Sequence, residues 1–237
     1  MSNLDPHLSS DAKLVIKSLG GLVNKFSGKK ILITGSGGFL GTQFLYFFTL
    51  LNQQKILDKP CKIFAYDNFS RGFSNWLLPI KEQKNIFFFE KDVTNPGKYE
   101  LSDYVIHAAS IASPLYYRKN PIETMDANVL GLRKLLDYSL KVDLKSFLFF
   151  STSEIYGDPD KKNIPTNEDY RGHVSCTGPR ACYDESKRFG ETLCVNFHNI
   201  HHVPVKIVRP FNNYGPGLKI TDRRVLPDFF NNILSDK

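Results

Sequence analysis

The chain has no apolar run approaching the ~20 residues that a membrane-spanning helix needs, so no membrane partner is expected. Its first residues lack the charged-then-apolar pattern of a secretory signal, which predicts a cytoplasmic protein. Among 237 residues there are 4 cysteines, Cys61, Cys176, Cys182 and Cys194, and no two of them form a C-x-x-C pair. That excludes a disulfide framework or thiolate zinc site and predicts four reduced thiols. His198 and His202 in "HNIHH" stand four apart, but no Glu or Cys at a metal-ligand spacing accompanies them, so no metal is expected. Repeats, low-complexity tracts and evident linkers are missing too, which removes solenoids and long disordered tails.

Long basic runs are also absent. The formal net charge of +7 and a pI near 9.1 suit an anionic partner, yet Lys and Arg are scattered along the chain. The Phe-rich stretches "IFFFE" and "FLFF" are short and bounded by charge, as buried strands are and base-stacking platforms are not. A nucleotide ligand satisfies this charge; nucleic acid is not expected.

What is present is a chain that can build a full core, with 41% hydrophobic and 13% aromatic residues. Within residues 1–28, Val15, Leu19, Leu22, Val23 and Phe26 fall at helical spacing, which predicts an added amphipathic helix packed on the main domain. From residue 29 to residue 237 strand-like and helix-like runs alternate: "KILITG", a helix from about Phe39, "CKIFAYD", "NIFFFEKD", "YVIHAAS", a helix from Pro121, "SFLFFSTS", a helix through Tyr183, and "VKIVRPFN". The strands are continuously apolar, as in sheets covered on both faces by helices. This predicts an α/β doubly wound parallel sheet, which takes ligands beyond the carboxyl ends of its strands.

"ITGSGGFLG" follows the first strand with Gly35, Gly38 and Gly41 three apart. Glycines there permit a tight turn, bring the backbone close to a pyrophosphate, and let the following helix aim its N–H groups at the phosphates. The second strand closes on Asp67, where a carboxylate accepts bonds from both ribose hydroxyls of NAD and repels the 2′-phosphate of NADP. Arg71 follows closely, so NADP stays as the lesser alternative. In "ACYDESK", Tyr183 and Lys187 stand one helical turn apart, which puts an ammonium on the same face as a phenol and favours the phenolate.

The Gly-x-x-Gly-x-x-Gly spacing with the later Tyr-x-x-x-Lys resembles the extended short-chain dehydrogenase/reductase family, the NAD-dependent epimerases and dehydratases. The resemblance implies a Rossmann-like fold with NAD as cofactor. "KDVTN" is similar to the family's adenine-contacting stretch, implying Asp92 and Val93 there, and "HAAS" to the segment under the cofactor, implying Ala108 and Ala109. Phe39, Leu40 and Asn68 would join Gly35, Gly38, Gly41 and Asp67 at the cofactor, together with Tyr183 and Lys187.

"STSEIYGDP" follows the fifth strand. By resemblance Thr152 would hydrogen-bond the sugar oxygen being oxidised and Tyr183 would take its proton. Lys187 would lower the Tyr183 pKa and hold the nicotinamide ribose. Related 4,6-dehydratases carry Asp-Glu after the Thr, whereas here Ser153 replaces that Asp and Glu154 remains. Thr-Ser-Glu is similar to the UDP-glucuronate decarboxylase branch, as are "ASIASPLYYRKNPIETMDANVLG" and "RPFNNYGPG". That implies C4 oxidation and decarboxylation of a UDP-sugar, with Glu154 at C5, Tyr117 on the carboxylate side, Asn212 at the sugar diphosphate and Arg224 reaching the nucleotide. It also implies a homodimer, and a small substrate domain left incomplete in residues 29–237. "ESK" stands where that branch has "EGK", and "NNYGPGLKITD" is similar to other nucleotide-sugar enzymes. A 4-epimerase, a dTDP-glucose 4,6-dehydratase-like enzyme and a non-catalytic NAD-binding fragment therefore stay open.

Overall fold

The computed structural model describes residues 4–235. Helix α1 (Pro6–Leu19) starts with Pro6 in its first turn, and the Asp5 carboxylate accepts hydrogen bonds from the His7 and Leu8 amides at 3.0 Å each. It stops at Gly20, whose φ of 52° only glycine adopts without strain, and a 3-10 turn (Gly20–Phe26) leads into the sheet. The buried side is Leu8, Ala12 and Val23, with Ile16, Leu19 and Phe26 packed behind them. Val15 and Leu22 point outward, 48% and 56% exposed, unlike the stripe read from the sequence. Within α1 the buried line runs Leu8, Ala12, Ile16 and Leu19, which leaves Val15 beside it, and beyond Gly20 the 3-10 turn puts Val23 and Phe26 inward and Leu22 outward.

Six parallel strands follow: β1 (Lys30–Thr34), β2 (Lys62–Asp67), β3 (Ile86–Glu90), β4 (Tyr104–His107), β5 (Ser146–Phe150) and β6 (Val205–Val208), in the order β3-β2-β1-β4-β5-β6. Thr34 is in register with Tyr66 on one side and His107 on the other, so three strands end together at the point where the order reverses. This is the doubly wound sheet expected from the alternation of runs, and its switch point lies between β1 and β4.

Helix α2 (Phe39–Gln53) lies with α1 on one face, burying Leu45, Phe48 and Leu51 against Ile31, Ile33 and Ile63. Each such side chain removed from water contributes roughly 1.5–3 kcal/mol. The opposite face is covered by α5 (Leu132–Ser139) and α6 (Ala181–His201), whose Leu135, Leu136, Cys194 and Phe197 pack on Leu32, Val105, Phe147 and Phe149. Between β4 and α5 run α3 (Pro114–Lys119), α4 (Pro121–Asp126) and a π turn (Ala127–Gly131). Gly131 sits there because a Cβ would come within 2.5 Å of Val93 Cγ2. The chain closes with a 3-10 turn (Ile220–Asp222) and α7 (Val225–Leu234).

Two-sided coverage holds for β1, β2 and β4 but not for the outer strands. In β5 burial alternates, Phe147 and Phe149 inside and Leu148 and Phe150 only half covered. In the edge strand β6 Lys206 and Val208 are exposed. Apolar residues on both faces of a strand do not show how far a flanking layer extends, and here the α1–α2 layer stops short of β6.

Candidate active site

The glycine loop joins β1 to α2 at the switch point. Gly35, at φ 72°, lets the loop pass over the end of β4, since a Cβ would lie 2.6 Å from the Ala108 carbonyl carbon and the Ala109 nitrogen. Gly41 lets α2 settle onto the loop, because its Cβ would meet the Gly35 oxygen at 2.2 Å. Neither place tolerates a side chain. Gly38 caps α2 without a side-chain hydrogen bond, and no acid stands in the first turn. The leading N–H groups are thus left for an anion, and the residues fit a dinucleotide pyrophosphate. At the end of β2, Asp67 accepts from the Gly37 and Phe69 amides at 2.8 Å each. Burial pushes its pKa up, opposed by those two amides and by the Lys219 charge.

Below the loop, His107 Nδ1 lies 2.7 Å from Thr34 Oγ1, and the ring stacks on Phe149 at 5.8 Å. Burial, with the Lys187 charge behind it, depresses the His107 pKa to about 3, so the imidazole is neutral at physiological pH. Its Nε2 is buried without a hydrogen-bond partner in the described structure.

The reacting end is built by β5 and α6. Thr152 follows β5 and accepts the Glu154 amide at 3.2 Å. Tyr183 and Lys187 occupy the first turns of α6, 7% and 3% exposed. Burial raises the Tyr183 pKa and a hydrogen bond with the Thr152 side chain opposes that rise. The Tyr117 ring stacks on Tyr183, centroids 5.1 Å apart and 10° from parallel. Lys187 Nζ donates to the Phe150 carbonyl at 2.7 Å and stands 5.9 Å from the Tyr183 ring centre. Burial lowers its pKa to about 7. The ammonium is therefore turned to a carbonyl rather than to the phenol, and burial is the main cause of the raised Tyr183 pKa.

All the residues nominated from the sequence line one cleft of about 1020 Å³. Gly35, Gly38, Phe39, Leu40, Gly41, Asp67, Asn68, Asp92, Val93, Ala108 and Ala109 form one part of it, and Thr152, Glu154, Tyr117, Tyr183, Lys187, Asn212 and Arg224 the other. Asp92 joins the nucleotide end through Asn68, whose amide donates to it at 3.1 Å.

The model of the NAD dependent epimerase/dehydratase family matches residues 31–237. The chain belongs to this family. NAD is the family's cofactor. UDP-glucuronic acid decarboxylase 6 of Arabidopsis thaliana is 36% identical over 203 residues, covering 86% of this chain and 56% of that protein. UDP-glucuronic acid decarboxylase 1 of Danio rerio is 37% identical over 205 residues, covering 85% and 45%. The chain spans about half the length of the curated relatives it matches. An epimerase from Methanothermobacter thermautotrophicus superposes with a TM-score of 0.76 at 27% identity, covering 94% of this chain and 63% of that one.

Two groups in the cleft of this epimerase/dehydratase chain are not among the residues nominated for the site, although the sequence leaves Arg180 equally a ligand or solvated surface. Arg180 forms an ion pair with Glu154 and places Nε 3.6 Å from Asp184 Oδ2. The only sequence signal is the i,i+4 spacing of Arg180 and Asp184. Asp222 is buried between Arg71 and Arg224. Its signal is an acid set before two cations in "TDRR".

Proposed function

We propose that the protein is an NAD-dependent nucleotide-sugar enzyme that oxidises the sugar C4 hydroxyl and decarboxylates UDP-glucuronate to UDP-xylose. The observation that carries the reading is the convergence of Thr152, Tyr183 and Lys187, from two elements, in one cleft with a glycine loop that leaves β1, with only β4 between β1 and β5. Bound NAD would accept hydride from C4 and return it at the end of the cycle. Thr152 orients the C4 oxygen and Tyr183 takes its proton. With C4 a ketone, the C5 carboxylate is beta to a carbonyl. The C5–carboxylate bond breaks, carbon dioxide leaves, and the electron pair passes into the C4 carbonyl. C5 then takes a proton, and Tyr183 returns its own to the C4 oxygen.

Glu154 is the carboxylate we assign to C5, held by Arg180. Tyr117 supports the Tyr183 ring on the carboxylate side, Asn212 is assigned to the sugar diphosphate, and Arg224 to the nucleotide. Ser153 favours decarboxylation over dehydration, because a serine hydroxyl is too weak an acid to protonate a departing C6 oxygen and carbon dioxide needs no such donor. Residues 1–28 are read as an extension on a cofactor-binding unit of residues 29–237 that carries part of the substrate region. Among the described residues no helix is long and apolar enough to cross a membrane. The cysteine pattern fits a cytoplasmic enzyme, and we assign a homodimer, to be checked by light scattering.

A 4-epimerase is the second reading, favoured by the superposed epimerase and by the proton-transfer pair that both reactions share. Incubation with UDP-glucuronate, UDP-glucose and dTDP-glucose, with mass-resolved products, separates the reactions. The expected result is a product lighter by one carbon dioxide from UDP-glucuronate alone, with no net NADH. A product of unchanged mass would replace the decarboxylase with the epimerase, and a dehydrated sugar from dTDP-glucose would refute both.

A further inference from the structure

Arg71 stands four residues beyond Asp67, on the loop that follows β2. A free guanidinium there would offer a seat to a 2′-phosphate and oppose the carboxylate. It is not free. Its Nη1 donates to Asp222 Oδ2 at 2.9 Å, and its plane lies 4.5 Å over the Tyr116 ring. The other oxygen of Asp222 accepts from Arg224 Nε. The Asp222 side chain is 4% exposed, and its backbone carbonyl accepts Ser113 Oγ at 2.7 Å. Lys219, the next cation in this corner, donates Nζ to the Arg71 carbonyl, which fixes the loop backbone as well. One buried carboxylate thus spends each oxygen on a different guanidinium, and the chain that brings Asp222 to Arg71 arrives from 151 residues away.

We infer that Asp222 is a cofactor-specificity residue: by holding Arg71 it keeps the guanidinium away from the ribose 2′ position, leaving Asp67 to read the ribose hydroxyls unopposed. The inference rests on the NAD reading proposed above. If Arg71 turned to a phosphate, a buried carboxylate oxygen would lose its charged donor, and a contact at the more exposed ribose edge does not repay that loss. Asp222 acts through Arg71, so it is a positioning residue; Asp67 is the group that meets the cofactor.

Calorimetric titration of NAD and NADP into the native chain, Asp222→Asn, Arg71→Ala and the double variant tests this. Asparagine keeps the shape and removes the charge. Asp222→Asn is expected to lower the ratio of the NADP Kd to the NAD Kd about tenfold, the discrimination of one charge-assisted hydrogen bond. Arg71→Ala alone should change the ratio by less than about twofold, since the guanidinium that Asp222 holds is not offered to the ribose edge. In the Asp222→Asn background Arg71→Ala should cancel the gain. An unchanged ratio in a normally melting Asp222→Asn protein would overturn the inference. So would a severalfold shift from Arg71→Ala alone, which leaves Asp222 paired with Arg224 and decides the matter if Asp222→Asn melts early. A native chain that prefers NADP would instead overturn the reading of Asp67.

Discussion

Replacing Lys187 by methionine should make the protein more stable while removing its chemistry. The ammonium is 3% exposed and meets a carbonyl rather than a carboxylate, and burial brings its pKa from 10.5 to about 7. At 1.36 kcal/mol per pKa unit, holding that charge in the folded state costs about 5 kcal/mol below pH 7. Methionine fills the same volume against Phe149 and Tyr183 but leaves the Phe150 carbonyl without its donor, which takes back about 2 kcal/mol. The net gain is about 3 kcal/mol, or roughly 6–12 °C in Tm for a chain of this size. Its sign depends on pH in a definite way. A lysine whose folded pKa is depressed leaves the unfolded chain holding more protons between about pH 7 and 10.5, so native stability rises with pH across that window. The Lys187→Met advantage should be full below pH 7, reach zero at about pH 9, and turn into a deficit of about 2 kcal/mol towards pH 10.5, where only the lost bond to the Phe150 carbonyl remains. Urea unfolding of both proteins at a series of pH values between these limits measures the gap. A gap that does not change with pH, or a variant less stable than the native chain at neutral pH, would refute the argument.

Tyr183→Phe keeps the ring stacked on Tyr117 and removes the proton acceptor. NAD affinity should hold within about twofold, while sugar-dependent reduction of bound NAD, followed by nicotinamide absorbance, falls at least about 100-fold. Gly41→Ala drives a methyl towards the Gly35 oxygen, which is backbone and has little room to yield. Thermal melting should show a loss of about 1–3 kcal/mol, with weakened NAD binding in the same protein. Asp5→Ala removes the acceptor of two amides at the start of α1 and should cost about 1 kcal/mol, with NAD affinity unmoved. A change in that affinity would mean that α1 contributes to the cleft.

The parallel sheet and the glycine loop were legible because their signals are local: a strand, three spaced glycines, a helix, and an acid closing the next strand. Tyr183 and Lys187 share a helix face, so their proximity was legible as well. The direction of the Lys187 ammonium was not, because a buried amine takes the nearest strong acceptor and spacing says nothing of the Phe150 carbonyl. The same limit hides the Glu154–Arg180 pair and the Asp222 cluster, whose partners are brought together by the fold across long stretches of chain. Val15 and Leu22 mislead for a different reason: Val15 stands beside the buried line of Leu8, Ala12, Ile16 and Leu19, and Leu22 falls after Gly20, where the single helix that a periodic stripe assumes has ended. In β5 and β6 the apolar residues are real, but the extent of the helical layer above them is a property of neighbouring elements.

Residues 216–222 add no strand to the sheet, yet they are fastened to three older parts of the molecule. The Pro216 carbonyl takes the Gln43 amide of α2, Lys219 and Asp222 hold Arg71, and Asp222 is held by Ser113 after β4. Synthesis delivers these parts in order, at about 5–20 residues per second. The central strand β1 comes first, five of the six strands are complete at Phe150, and the last ends at Val208. A nascent chain therefore possesses its glycine loop and Asp67 well before it possesses the wall that restrains Arg71. The contact that fastens Arg71 is thus supplied by a residue 151 positions further along the chain.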